Sequence, residues 1–364
     1  MKPTNTIFLI FLGLLTSCYK VYEPKIDTGK KVLVVNGMIT NKVEVYHITL
    51  SYTEPFNSSR AADPATGADV TVTDDLGNRY LFKEGSSGNY TSDTSQFTAI
   101  PGRSYRLHIL TPDLLEYESD PQKLFPEVHP DSVYSEFDSK KTLDKNTGLV
   151  VLTHGANILA DIRNQSDTLP RFRLASNLVT QYFYTICPIM APCDFFYCWK
   201  TTNANSNINL TGGIYSESSA SIRKHLICFL DDNLFCYALY YYYSGATSYY
   251  QFFMIHHRII YLKLYTLNIE SFLYYKSLDK QLQSEGKLFD PIAAQLNGNI
   301  KCITNPETKA IGFFEASSVS YSAYTVDFRN LTSFQPSIIR IPYILPPETN
   351  GCRINNIPPF WINK

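Results

Sequence analysis

Residues 45–52 read VYHITLSY and place an aromatic or aliphatic side chain at every second position. Tyr46, Ile48 and Leu50 are each separated from the next by a polar residue. Such alternation is typical of a β-strand with one face in a core and the other in solvent. We therefore expect the fold to be built around a sheet that contains this segment.

Similar alternation follows further along the chain. Val70 and Val72 stand between polar neighbours, and residues 105–109 show the same pattern. Residues 74–78, DDLGN, contain the Asp, Gly and Asn types that tolerate positive φ in hairpin turns. Strands that recur at a spacing of roughly 8–12 residues are typical of sandwiches. This spacing predicts an immunoglobulin-like or transthyretin-like β-sandwich over residues 31–125.

The remainder of the chain predicts a second, larger β-rich domain. Residues 126–148 are polar and predict a linker, and residues 149–364 again show alternating segments. One amphipathic helix is expected at about residues 268–283, because apolar side chains recur there at steps of three and four: Phe272, Tyr275, Leu278 and Leu282. Asn268 suits the N-cap and Glu270 the first turn. The predicted fold class is mainly β.

Composition narrows the class of protein. Lys and Arg number 32 against 33 Asp and Glu, so the formal net charge is −1. Nucleic-acid binding needs a cationic surface, and this balance argues against it. Only 18% of the 364 residues are charged, whereas 14% are aromatic, with 27 Tyr and 22 Phe. These values favour a β-rich protein that works outside the cytoplasm.

The N-terminus has the dimensions of an export signal. Residues 7–15, IFLIFLGLL, form an apolar core too short to span a bilayer, which takes roughly 20 helical residues. Residues 15–18, LTSC, resemble a bacterial lipobox. We therefore predict a signal peptide over residues 1–17, lipidation at Cys18 and a tether over residues 18–30. The alternative is an ordinary secretory signal with a Cys nearby by chance.

Seven further cysteines lie in the second half of the chain. An exported protein meets an oxidising compartment in which disulfides form, and an odd count leaves at least one thiol unpaired. Cys187, Cys193 and Cys198 lack the CxxC spacing of a zinc knuckle. We predict a disulfide within or from this cluster rather than a metal site. Cys352 is a further candidate, and the pairing stays open.

The tract at residues 235–253 has the highest density of tyrosines, four of them consecutive at Tyr240, Tyr241, Tyr242 and Tyr243. Tyr offers a large amphipathic contact area at little cost in entropy. If exposed, this tract would grip a sugar polymer or the rim of a receptor. If buried, it would fill the core between two sheets. Both interpretations remain open.

No catalytic motif is recognisable in the sequence. The histidines lack HExxH-type spacing, and no Gly-x-Ser-x-Gly elbow is present. The adjacent His256 and His257 would point to opposite faces of a strand and could not easily share a metal. We therefore expect a non-enzymatic protein without metal or cofactor. The alternative is a hydrolase whose catalytic residues are dispersed along the chain.

Several segments, in a fixed order, resemble a known family. After the lipobox come LVVNGMITN at residues 33–41, GADVTV at 67–72, NGNI at 297–300, IGFF at 311–314 and PPFW at 358–361. Together they resemble the Bacteroidetes outer-membrane lipoprotein family known as domain of unknown function 4249. One departure concerns the C-terminal end, where the resemblance implies a Cys pair and this chain has Cys352 alone.

The resemblance implies a cellular role but no chemistry. Members of that family look associated with TonB-dependent outer-membrane receptors, their N-terminal part is similar to carboxypeptidase-regulatory-like sandwiches, and no catalytic residues are carried over. We expect an accessory or substrate-binding partner of such a transporter, anchored by lipid to the outer or periplasmic leaflet of the outer membrane. The alternative is a surface adhesin or glycan-binding lipoprotein that uses residues 240–243.

Overall fold

A computed structural model describes residues 31–54, 61–95, 97–143, 147–163, 171–188, 194–204, 207–213, 221–231, 237–244, 247–283, 296 and 298–326. Within the strands, the side chains of residues 142, 182–188, 194–196, 198, 231, 237–244 and 247–257 are not described. The described chain is mainly β, with twenty strands and one helix, as the sequence predicts.

The first strands follow the predicted alternation. They are β1 (Leu33–Ile39), β2 (His47–Tyr52), β3 (Asp63–Pro64), β4 (Asp69–Asp74), β5 (Arg79–Ser86), β6 (Asn89–Thr91), β7 (Ser104–Leu110), β8 (Glu116–Ser119) and β9 (Gln122–Lys123). On β2, Ile48 and Leu50 are fully buried while His47 and Thr49 are exposed. The segment from which the fold was predicted is therefore a half-buried strand.

Longer strands make up the rest of the chain. They are β10 (Ser132–Leu143), β11 (Val150–Arg163), β12 (Arg171–Pro188), β13 (Asp194–Asn203), β14 (Asn209–Gly212), β15 (Ser221–Asp231), β16 (Tyr237–Ser244) and β17 (Thr247–Thr266). Helix α1 (Ile269–Leu282) is followed by β18 (Ile300–Cys302), β19 (Ala310–Ala316) and β20 (Ser318–Thr325).

The first sheet draws strands from both ends of the described chain. Its eleven strands run in the order β18-β8-β7-β4-β5-β6-β2-β1-β19, with β3 on β2 and β9 on β7. One hydrophobic core collects buried side chains from these strands, including Leu107 of β7 and Phe314 of β19. The sandwich form predicted for residues 31–125 stays a prediction.

The strand partners differ from the predicted division of the chain. Strands β18 and β19 lie within the predicted C-terminal domain, residues 149–364, yet they pair with β8 and β1. Residues 132–143, placed in the predicted linker, form strand β10. Alternation identifies a strand by its two faces but contains no information about its partner, so these pairings could not be derived from the pattern.

The second half of the chain forms two further sheets. A three-stranded sheet has the order β10-β11-β15, and a six-stranded sheet has the order β13-β12-β17-β16 with β14 on β12 and β20 on β17. Buried side chains of both sheets share one core, among them Ile158 of β11, Leu174 of β12 and Ile260 of β17.

Helix α1 begins where the sequence predicts. The side chain of Asn268 accepts a hydrogen bond from the Ser271 N–H at 2.7 Å, and Glu270 lies in the first turn. Phe272 is buried as expected. Leu282, which we placed on the same apolar face, is 66% exposed. The helix therefore packs through its first turns, and its last turn leaves the core.

Strand β19 lies against β1 at a very short distance. The two strands pair in parallel, and Val35 is opposite Gly312. Gly312 has a φ of +104°, and a Cβ added there would lie 1.9 Å from the carbonyl oxygen of Val35. Only glycine fits both the conformation and the space.

A buried ion pair connects the first sheet with the six-stranded sheet. The Arg173 Nη2 of β12 lies 3.6 Å from the Glu315 Oε1 of β19, and the Glu315 side chain is only 2% exposed. The Arg173 guanidinium also lies 4.0 Å from the ring centroid of Tyr265 and 4.5 Å from that of Tyr275. The Tyr275 hydroxyl of α1 donates to the other carboxylate oxygen.

These contacts affect the ionisation of the Tyr275 phenol. Burial, and then the negative charge of Glu315, raise the pKa of Tyr275 well above its usual value, so the phenol stays a hydrogen-bond donor. The Glu315 carboxylate thus has a cation on one side and a neutral donor on the other. The cluster of Arg173, Tyr265, Tyr275 and Glu315 therefore joins β12, β17, α1 and β19, and we call it the junction cluster.

Replacing Gly312 by alanine should prevent β19 from seating on β1. We expect Gly312→Ala to lower the free energy of unfolding by more than about 3 kcal/mol, because a clash adds to backbone strain. Gly77→Ala is the matched control: Gly77 also has positive φ, +85°, but no atom lies within 4 Å of its added Cβ. Gly77→Ala should therefore lower the free energy of unfolding by only about 1 kcal/mol. Equal losses in urea titrations of the two variants would contradict the close packing.

Removing Arg173 alone should be worse than removing the whole ion pair. Arg173→Met leaves the buried Glu315 carboxylate without its cation, and we expect a loss of about 3–5 kcal/mol in unfolding free energy. Adding Glu315→Gln should restore most of that loss. Arg79→Met, at an exposed arginine of β5, is the control. The interpretation is wrong if the double variant is no more stable than Arg173→Met in the same urea titration.

Candidate interaction surface

The hairpin of β10 and β11 extends beyond the sheet that it belongs to. Its register runs from Ser132 opposite Asp161 to Leu143 opposite Val150. On the other side, β15 pairs with β11 only from Gly155 onward towards Arg163. The part of β11 before Gly155 therefore has β10 as its neighbour and no third strand among the described residues.

This extension carries exposed apolar side chains. Leu143, the last residue of β10, is 64% exposed. Four consecutive residues at the start of β11, or directly before it, are exposed by 40–67%: Leu149, Val150, Val151 and Leu152. We call these five residues the hairpin end. Successive side chains on a strand point to opposite faces, so these residues expose apolar groups on both faces of the ribbon, and such groups often mark a site of interaction.

Strand β10 itself carries charges of both signs. The Lys224 Nζ lies 2.8 Å from the Glu136 Oε1. The Asp138 carboxylate accepts from the Asn157 side chain at 2.8 Å, and this hydrogen bond chiefly lowers the pKa of Asp138. The Lys140 ammonium lies 4.2 Å from the centroid of the Phe229 ring. Lys141 is exposed, and no ion pair is seen for it among the described side chains.

The predicted tyrosine surface lies on β16, the outermost strand on one side of the six-stranded sheet. Tyr241 is opposite Tyr250 and Tyr242 is opposite Tyr249 of β17, while Tyr240 and Tyr243 occupy the flanking positions. Their side chains lie outside the described part of the structure. Whether this tract is core or surface therefore stays a prediction.

The register brings four aromatic-rich strand ends together. The segments that meet belong to four adjacent strands of the six-stranded sheet, in the order β13, β12, β17 and β16. Phe183 is opposite both Tyr197 and Met254, and Met254 is opposite Tyr237. Across residues 182–188, 194–199, 237–244 and 247–255, Asp194 is the only charged residue. The tract predicted at residues 235–253 covers β16 and the start of β17, whereas its continuation into β12 and β13 was missed.

The predicted disulfide residues fall at different places. Cys187 of β12 is opposite Tyr250, whereas Cys198 is opposite Tyr182, which lies five positions before Cys187 on β12. Five positions span roughly 16 Å, well beyond the Cα separation of a disulfide, so these two do not bridge each other in this register. Cys193, Cys352 and Cys18, the predicted lipidation site, lie outside the described residues. A disulfide from the cluster to another cysteine stays a prediction.

Two other cysteines, which the sequence left unassigned, are buried free thiols. They are Cys228 of β15 and Cys302 of β18. Burial raises the pKa of Cys228 to about 12, which keeps the thiol protonated and a poor nucleophile. Their environment is that of small core residues.

Two clefts among the described residues contain titratable or nucleophilic side chains. A cleft of about 360 Å³ on the first sheet is lined by Asp69, Thr71, Arg79, Leu81, His108 and Leu110. A cleft of about 480 Å³ beside β14 and β15 includes Asn209, Cys228 and Phe229 in its lining. His225 next to this second cleft has its pKa lowered by burial and contacts Asn209 at 2.6 Å.

One serine–histidine contact lies outside both clefts. Ser139 Oγ of β10 is 2.7 Å from Nδ1 of His154 on β11. Both residues are exposed, and no carboxylate contacts the histidine among the described residues. The pair therefore has the distance of a nucleophile and base but lacks the enclosed site and orienting acid of a triad.

Among the described residues, no group of three or more His, Cys, Asp or Glu side chains could hold a metal ion. No described helix is long and apolar enough to cross a membrane.

Comparison with known proteins identifies a family. The family model described as domain of unknown function, DUF4249, matches residues 19–322. No curated protein matches the chain at a significant level. The match spans both β parts, including β18 and β19, and covers most of the sequence. The chain therefore belongs to the DUF4249 family.

Proposed function

We propose that this protein is a lipid-anchored accessory of a TonB-dependent outer-membrane transporter, which binds the receptor or captures its substrate without catalysing a reaction. The lipobox at residues 15–18 and the apolar run at residues 7–15 support export and lipidation at Cys18. The family resemblance supports the transporter as the partner.

The observation that carries a binding role is the uncharged, aromatic end of the six-stranded sheet. Four neighbouring strands contribute to it, and the segments that form it, residues 182–188, 194–199, 237–244 and 247–255, together contain one charged residue, Asp194. Contact surfaces between proteins are depleted in charge and enriched in Tyr, Phe and Trp at their centres. A surface domain that needed only solubility would carry charges on at least one face of such strands.

The described side chains support binding better than catalysis. The buried thiol of Cys228 is held protonated, and the Ser139–His154 pair is exposed and without an orienting acid. In the part of the chain that the structure describes, no hydrogen bond joins a hydroxyl or thiol to a histidine or carboxylate in either cleft.

Crosslinking in intact outer membranes tests the proposal. A tagged wild-type chain should co-purify with a TonB-dependent receptor, identified by its peptides. Cys18→Ala should lose palmitate incorporation, leave the membrane fraction and recover far less receptor, because confinement to the membrane raises the effective concentration of the two partners. An unrelated outer-membrane lipoprotein with the same tag is the control. Recovery of no such receptor from wild-type membranes would remove the proposal.

A second function, glycan binding, is favoured by the position of residues 240–243 on β16. If this strand presents its rings to solvent, they would stack on sugar faces. Replacing Tyr240, Tyr241, Tyr242 and Tyr243 by Ala, singly and together, should then weaken retention in polysaccharide affinity gels about tenfold or more. Tyr134→Ala, on β10 and away from this block, is the control. Retention that is unchanged across the series would exclude the tract as a glycan site.

A further inference from the structure

Strand β10 is an open edge of the three-stranded sheet. It has β11 on one side and no neighbour on the other in the described structure. Each described side chain along Ser132–Leu143 is exposed or half-buried. The outer N–H and C=O groups of such a strand are unpaired and form a template for another strand. The edge is twelve residues long, which is longer than most strands in globular proteins.

The charges on this edge change sign along its length. Glu136 and Asp138 are followed by Lys140 and Lys141, with Ser139 between them. A run of one sign would prevent two copies from pairing, as edge lysines commonly do. A run that changes sign does the opposite in an antiparallel pair, since the acidic half of each strand lies against the basic half of the other.

Hydrogen-bond geometry selects the register of such a pair. Every second residue of β10 points its N–H and C=O outward, so two identical antiparallel strands must be centred on a residue rather than between residues. Centring on Ser139 puts Asp138 opposite Lys140 at two symmetric positions, and Phe137 opposite Lys141 at two more. Centring on Asp138 would instead oppose two carboxylates.

The hairpin end would gain an additional hydrogen-bonded strand from this arrangement. Before Gly155, β10 and β11 form a two-stranded ribbon, which is marginally stable in water when it stands alone. In the register centred on Ser139, Leu143 of one copy lies opposite Ser135 of the other. The exposed ribbon of each copy would then become three-stranded beside the start of its partner's β10.

The charged groups are available for these contacts. The pKa of Asp138 is lowered, first by its hydrogen bond from Asn157, so its carboxylate is ionised at neutral pH. Lys140 lies over the ring of Phe229, a contact worth about 0.5–1 kcal/mol at an exposed site, which is within reach of replacement by an ion pair.

We infer that the chain forms a two-fold dimer in which β10 pairs antiparallel with β10 of a second copy, with Ser139 on the axis. The interface is isologous, so each contact occurs twice. The paired sheets form one six-stranded sheet across the axis. This inference goes beyond the proposed function and does not require a transporter.

A charge exchange tests the dimer and its register together. Asp138→Lys and Lys140→Asp should each weaken dimerisation of the full chain in detergent about tenfold, because two attractive pairs become repulsive. An equimolar mixture of these two variants should dimerise again, and so should the chain that carries both changes. The measurement is sedimentation equilibrium at low salt, where exposed charges are least screened.

Matched controls carry the same charge changes elsewhere. Asp113→Lys and Lys309→Asp alter exposed residues outside β10 and should leave the dissociation constant unchanged. If the wild-type chain is a monomer at every concentration, or if Asp138→Lys behaves like Asp113→Lys, the inference is overturned.

A disulfide across the axis provides a second, independent readout. Ser139→Cys should form a dimer of twice the chain mass on non-reducing gels of intact membranes, because position 139 faces itself. Ser135→Cys faces Leu143 of the partner and should not crosslink. The parent chain, with all its native cysteines, is the control. Equal crosslinking from positions 135 and 139, or none from 139, would contradict the register.

Discussion

The parallel pairing of β1 with β19 is the constraint on which the rest of the fold depends. It places Leu33 beside Ala310, so two residues that are far apart in the sequence, with most of the described chain between them, are paired in one sheet. Closing a flexible loop of that length costs about 5 kcal/mol of chain entropy. Burial of Phe314 and Ala316 in the first core helps to offset this cost, and Gly312 allows the backbones to approach.

The same pairing sets the position of the second β part. Ala316 ends β19 and Ser318 begins β20, so one buried residue, Ser317, separates a strand of the first sheet from a strand of the six-stranded sheet. The junction cluster lies next to this crossing, because Glu315 belongs to β19 and Arg173 to β12. A buried ion pair contributes little net stability, but its strict geometry can select one arrangement of the two sheets. Both candidate interaction regions, the aromatic strand ends and the β10 edge, belong to the second part.

Much of the local structure can be predicted from the sequence, but little of the pairing between strands can. Alternation at Tyr46, Ile48 and Leu50 correctly indicates a half-buried strand, and Asn268 correctly marks the start of the helix. Alternation says nothing of partners, so the return of β19 to β1 could not be derived. The same holds for the binding regions: the tyrosine-rich tract at residues 235–253 is visible in the sequence, whereas its continuation into β12 and β13 depends on register. The sequence predicts a linker where strand β10 lies, because the charged and polar residues there hide the alternation of a strand.

Native-state hydrogen exchange of the β19 amides tests the account most directly. If β19 is an integral strand of the first sheet, the amides of Phe313 and Phe314 should exchange through the same opening, with the same free energy, as the amides of Val70 and Leu107 in β4 and β7. If the β19 amides exchange through a much cheaper opening while β4 and β7 stay protected, the first sheet folds without β19. The central claim, that residues from late in the chain complete the first sheet, would then be contradicted.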